Sequence, residues 1–120
     1  MGYKKANGIF ADVEAINLNP LEGAAVTKDG YSAVLELGDR GEARLTLAAT
    51  SVSSADTLDV TIQTSPDGSD DSWYTAGTFS QVTEAGSERK VFLLDRFVRA
   101  HFDVGGSAVS IACTLLGEAA

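Results

Sequence analysis

From residue 31 onward, apolar and polar side chains alternate with a period of two. Leu58, Val60, Ile62 and Thr64 fall on one face of a strand, and Asp59, Thr61 and Gln63 on the other. β-Branched residues are well represented, as a half-buried strand requires. Ser65-Pro66-Asp67-Gly68 supplies turn chemistry and Trp73 opens a second strand, so residues 58–79 read as a β-hairpin. Upstream, Tyr31, Ala33, Leu35 and Leu37 share a face, followed by the turn Gly38-Asp39-Arg40-Gly41. Ala43, Leu45, Leu47 and Ala49 then face away from Arg44, Thr46 and Thr50. Downstream, residues 89–94 form a strand that is apolar on both sides. In residues 97–104, Val98, Ala100, Phe102 and Val104 alternate with Arg99, His101 and Asp103. Gly105-Gly106-Ser107 turns the chain into a last strand over 108–116. About seven strands with polar or Gly-containing connections predict an all-β fold. The expected architecture is an antiparallel β-sandwich, jelly-roll or Ig-like, over residues 31–120.

Residues 1–30 break this pattern. Asn7-Gly8, Asn19-Pro20 and Gly23 interrupt the apolar positions, and such residues argue against a long regular element. They read as an extended N-terminal arm or edge segment. The expected core comprises Leu35, Leu37, Leu45, Leu47, Val60, Ile62, Trp73, Phe79, Phe92, Val98, Phe102, Val109 and Ile111. Burying such side chains contributes roughly 1.5–3 kcal/mol each against chain entropy. Trp73 is expected inside and Tyr74 outside.

The net charge is −8, and it is spread evenly. Residues 1–60 carry 5 basic and 9 acidic side chains, residues 61–120 carry 4 and 8. Phosphate recognition needs clustered Lys and Arg, so direct nucleic-acid binding is not expected. No apolar run approaches a membrane span. Met1-Gly2-Tyr3-Lys4-Lys5 is basic, but no sustained apolar region precedes Asp12 and Glu14. The expectation is a product made in the cytoplasm, or one that leaves the cell by a route not written as a cleaved signal. Cys113 is the single cysteine and alternates with Val109, Ile111 and Leu115, so it reads as a small core residue.

Candidate chemistry is sparse. His101 is the only histidine, and the spacing Arg99, His101, Asp103 is that of an outward strand face, not of a catalytic set. One Cys and one His cannot supply a zinc site within one chain. Asp67, Asp70 and Asp71 cluster in the hairpin loop, but D-G-S-D-D lacks the alternation and distal Glu of an EF-hand; the loop reads as a solvated turn, with an ion shared with a neighbouring chain left open. The last strand presents Ala108, Ser110, Ala112, Thr114 and Leu116 outward. That face is small and uncharged, and suits packing against another chain, an inner sheet or a covering arm such as residues 1–30; spacing does not choose between them. No cofactor and no enzymatic activity are expected.

The strand ending TSPDG, the nearby Trp73, the Phe79-x-Gln81-Val82 hairpin, the strand LDRFVRA and the ending GGSAVSIACTLLGEA resemble a family of small virion proteins of tailed bacteriophages and prophages. The resemblance covers residues 31–119. It implies a non-enzymatic structural role, as a capsid decoration or minor head protein, with the major capsid protein or other virion subunits as partners. It also implies a homo-oligomer on the particle and localisation to the virion. Ser69-Asp70-Asp71, between Asp67-Gly68 and Trp73, lengthens the turn relative to that pattern. The partner-facing candidates are Tyr74, Asp67, Asp70, Asp71, Arg99, His101, Ser110, Ala112 and Thr114. SPDG…W followed by RFVRA also resembles discoidin-type carbohydrate-binding sandwiches. That alternative implies glycan binding by Tyr74 and the 67–71 loop, for attachment to a host surface.

Overall fold

A computed structural model describes residues 13–53, 55–107 and 109–120. The first twelve residues of the expected arm, and Ala108 of the last strand's outward face, lie outside the described residues.

The alternating segments form the expected antiparallel β-sandwich, and no helix occurs among the described residues. Among the described residues, nine strands run in chain order: β1 (Glu14–Asn17), β2 (Gly30–Tyr31), β3 (Leu35–Glu36), β4 (Glu42–Val52), β5 (Thr57–Ser65), β6 (Tyr74–Thr78), β7 (Gly86–Leu93), β8 (Phe97–Gly105) and β9 (Ile111–Ala119). One sheet has the order β1-β9-β4-β7. The other has the order β2-β8-β5-β6, with β3 also paired to β8 on the side of β2.

The core lies between the sheets and follows the alternation. Leu58, Val60, Ile62 and Thr64 of β5 are all fully buried, as are Val98 and Ala100 of β8. Ala43, Leu45, Leu47 and Ala49 of β4 face them from the other sheet. Phe79 and Phe92 join the two layers, with ring centroids 5.3 Å apart, within the range of favourable aromatic pairs. Thr64 satisfies its buried hydroxyl locally: Oγ1 donates to the Phe97 carbonyl and accepts from the Asp95 N–H, each at 2.7 Å. The last three residues of β7, Val91 to Leu93, are apolar on both sides. Phe92 is buried, whereas Val91 and Leu93 stand 54% and 75% exposed on the opposite face.

The segment before residue 31 is woven into this core. Ile16, Leu18 and Val26 are buried. β1 pairs with β9, the Leu18 N–H donates to the Leu115 carbonyl, and Val26 and Ile111 exchange two backbone hydrogen bonds of 2.7 and 3.0 Å. The Asn19 carboxamide accepts from the Leu115 N–H at 2.7 Å. The chain then crosses to the other sheet, where Gly30 and Tyr31 pair with Phe102 and His101.

Two expectations of facing are corrected by single-residue offsets. Tyr31 pairs with His101 while Leu35 pairs with Val98, so four steps along one chain match three along the other. That extra residue turns Tyr31 outward although Leu35 packs against the core. In the hairpin, Ile62 pairs with Gly77 but Gln63 pairs with Thr75, which leaves Ala76 as a bulge. A bulge reverses the faces of everything beyond it. Trp73 is therefore half-buried on the outer side of the sheet and is not a core residue.

Candidate functional site

The two offsets assemble a cluster on the outer face of the five-stranded sheet. β8 supplies Arg99 and His101, which alternate with the buried Val98, Ala100 and Phe102. β5 supplies Gln63, directly opposite Arg99. The β2 offset brings Tyr31 beside His101, with ring centroids 4.8 Å apart. The β6 bulge brings Trp73 to the other side.

The Arg99 guanidinium carbon lies 4.4 Å from the Tyr31 ring centroid and 4.3 Å from that of Trp73. Each contact is a cation–π interaction worth about 0.5–2 kcal/mol, depending on desolvation. The Arg99 Nε–H donates to Gln63 Oε1 at 2.7 Å, which fixes the plane of the fork. Two rings and one hydrogen bond thus remove most of the conformational freedom that a surface arginine ordinarily keeps.

Farther along the same face the charge reverses. Asp103 pairs in register with Asp59, and Asp29 reaches in from the loop before β2, its Oδ1 accepting from the Val104 N–H at 2.9 Å. A hydrogen bond with Asp29, then repulsion by the Asp29 charge, holds the Asp103 carboxyl above its ordinary range; His101 opposes this and Asp59 adds to it. Asp59 accepts from the Gln81 side chain at 3.1 Å. Tyr31 also lines a cleft of about 390 Å³, together with Leu21, Val26 and Phe102 and with the charged Glu22, Lys28 and Asp29.

The remaining partner-facing candidates lie elsewhere. Tyr74 is 51% exposed, but its hydroxyl donates to Asp95, and that bond holds the phenol above its usual range. Asp67 is an internal brace of the hairpin turn. Its Oδ1 accepts from the Ser69 N–H and hydroxyl at 2.9 and 2.8 Å. The Ser69 N–H first, then the Ser72 and Ser69 hydroxyls, lower its pKa to about 2. The Ser65 hydroxyl accepts from the Gly68 N–H at 2.8 Å and bonds to the Ser72 hydroxyl, and Gly68 takes the left-handed φ of 77° that a residue with a Cβ resists. Asp70 and Asp71 are exposed at the tip. Among the described residues, no group of three His, Cys, Asp or Glu side chains gathers as a metal site would require.

Ser110, Ala112 and Thr114 belong to the other layer. Ala112 and Thr114 point away from the core on the outer face of the four-stranded sheet, and the Ser110 N–H donates to the buried Asp56 at 3.3 Å. The candidate set therefore splits into separate surfaces: Arg99 and His101 on the five-stranded sheet, Ala112 and Thr114 on the four-stranded sheet, and Asp67, Asp70 and Asp71 in the hairpin loop. Sequence periodicity missed Tyr31, Trp73 and Gln63 as neighbours of Arg99 and His101. The usable signals were Gly30 before Tyr31 and Gly77 inside a strand, since a strand glycine often marks a bulge or an offset.

Compared with known proteins, the chain matches no family model and no curated sequence.

Proposed function

We propose that this chain is a non-enzymatic structural component of a tailed-phage particle, a capsid decoration or minor head protein. In this reading it is made in the host cytoplasm and binds neighbouring particle subunits through the outer face of its five-stranded sheet. The observation that carries the reading is the stack of Tyr31, Arg99 and Trp73. Tyr, Trp and Arg are the residue types that dominate binding energy at protein interfaces, and rigid aromatic anchors bind with little loss of side-chain entropy. Here all three are held in place before any partner arrives. The resemblance over residues 31–119 is what implies the kind of partner: the major capsid protein or another virion subunit. Val91 and Leu93, exposed on the edge strand β7, suit a contact between copies on the particle.

Glycan binding through Tyr74 and the 67–71 loop has less support. The Tyr74 hydroxyl is engaged by Asp95, and Asp67 is committed to the turn.

Co-sedimentation with heads assembled from the capsid protein encoded alongside this chain tests the reading. Wild-type protein is expected to pellet with the heads, and Trp73→Ala is expected to lose most of that binding. A wild-type protein that stays in the supernatant at micromolar concentration sinks the proposal. A glycan array bound by the wild type and lost on Tyr74→Ala would favour the carbohydrate reading instead.

A further inference from the structure

Among the described residues, Arg99 is a fixed cation with no carboxylate in an ion pair with it. Among the described residues, the arginines in ion pairs are Arg40, Arg44 and Arg96. Arg99 has two stacked rings and Gln63 on its Nε–H. Its two terminal NH₂ groups take no acceptor from the described residues. The guanidinium is thus oriented and covered by rings, and its free edge is the part that pairs with a planar oxyanion in a two-bond fork.

The surroundings narrow the class of ligand. One arginine offers one fork, whereas phosphates are usually held by several cations or a helix terminus. Asp29, Asp59 and Asp103 lie four residues or fewer along the strands, and their field disfavours a dianion more than a monoanion. A neutral sugar would stack on open aromatic faces, but the guanidinium already occupies one face of Tyr31 and one of Trp73. The stack stands on the outer face of the five-stranded sheet, and Tyr31 belongs both to it and to the neighbouring cleft, so a ligand that engages both must be long enough to reach from one to the other. Tyr31 is also a wall of the mostly apolar cleft that Leu21, Val26 and Phe102 line, with Glu22, Lys28 and Asp29 among its other lining residues. The fork and the cleft are therefore neighbours that share one side chain.

We propose that Arg99 and the cleft that Tyr31 lines form one docking site for an extended segment of a partner protein, which sets a Glu or Asp side chain on the guanidinium and an apolar side chain in the cleft. The site deepens the particle-binding reading given above and rests on it for the identity of the partner, though not for the chemistry.

The test uses full-length, isotope-labelled protein and capped seven-residue peptides. Each peptide has a central Glu and a single Leu two, three or four positions to either side. Counterparts carry Gln for Glu, or Ala for Leu. The Arg99 Nε–H resonance and the Phe102 amide report the two halves of the site. At least one Glu peptide is expected to move both resonances in a saturable way. Replacing Glu by Gln is expected to weaken binding about tenfold or more, as losing a hydrogen-bonded charge pair does, and replacing Leu by Ala is expected to abolish the Phe102 response. Because these changes are in the peptide, folding of the protein is not at stake. Arg99→Lys, with its amide spectrum checked, is expected to weaken the Glu peptide by a similar factor.

Equal affinity for Glu and Gln peptides overturns the proposal, as does the absence of any response at millimolar peptide. A response at Arg99 to glucuronic acid or inorganic phosphate, without one to the peptides, overturns it in favour of a small-anion site. Failure of wild-type co-sedimentation alone would remove the particle reading and leave the peptide result standing. Intact co-sedimentation of Arg99→Lys with a negative peptide result would remove the docking site alone.

Discussion

A Cβ added to Gly77 would stand 2.9 Å from Cε1 of Phe92. Gly77 lies on β6 and Phe92 on β7, so this contact closes one side of the sandwich between an edge strand of each sheet. No left-handed backbone is involved at Gly77; the glycine is needed for space. Gly77→Ala would ordinarily favour a strand, but here it must displace the Phe92 ring, which itself packs on Phe79. The expected cost is about 1–3 kcal/mol by overpacking, read as a lower urea midpoint at unchanged slope. Adding Phe92→Leu to Gly77→Ala should return part of that loss. A neutral Gly77→Ala would show that the edges are not in contact.

Leu18 is fully buried although it precedes the regular alternation. Its N–H is bonded to Leu115, a core residue of β9. Leu18→Ala is therefore expected to cost about 2–5 kcal/mol, as for a core leucine that leaves a cavity. An arm that merely lay on the surface would lose a few tenths. Urea unfolding followed by Trp73 fluorescence separates the two outcomes.

These two residues also show what the sequence made legible. The strands β5 and β8 carry long unbroken alternation, and β4 does so as far as Ala49, where its pairing with β9 shifts register, so their inward faces could be read directly, Thr64 included. Cys113 could be placed with them, and burial pushes its thiol up to about 11. Leu18 could not, because Asn17, Asn19 and Pro20 surround it with turn residues and its burial depends on a bond to β9 far along the chain. The candidate site fell between these cases. Arg99 and His101 follow from alternation, but Tyr31 and Trp73 reach them only through an extra residue in the β2–β3 segment and the bulge at Ala76. A period of two propagates a face only until the first offset, and pairing partners decide where the offset falls.

Asp67 gives the turn a pH dependence with a defined sign. Hydrogen bonds from Ser69 and Ser72 lower its pKa from an ordinary 3.8 to about 2 in the fold. A depressed carboxyl contributes stability that is fully present above the unfolded value and is lost as pH falls through the folded one. The Asp67 contribution should therefore disappear between 3.8 and about 2. Asp67→Asn keeps an acceptor for the Ser69 N–H but cannot titrate. The variant should be less stable than wild type at neutral pH, and the two should converge toward the acid end of that window. Urea midpoints across the acid range check this; a gap that is constant with pH would contradict it.

The Asp29–Asp103 pair has the opposite sign. Asp103 is raised because its protonated form donates to Asp29 and because the Asp29 charge repels its ionised form. A raised carboxyl favours folding below its ordinary pKa, and that contribution is lost as pH rises through the folded value. Ionising Asp103 sets its charge against that of Asp29, with Asp59 adding to the repulsion and His101 opposing it. Asp103→Asn supplies a permanent donor to Asp29 and removes one of the charges. It is expected to raise the melting temperature at neutral pH, with the gain shrinking toward zero as the solution is taken below the ordinary 3.8 of an aspartate. Thermal scans of both proteins across that range decide the matter. A melting temperature lowered at neutral pH, or a gain that persists unchanged in acid, would mean that Asp103 is held by something other than the Asp29 carboxylate.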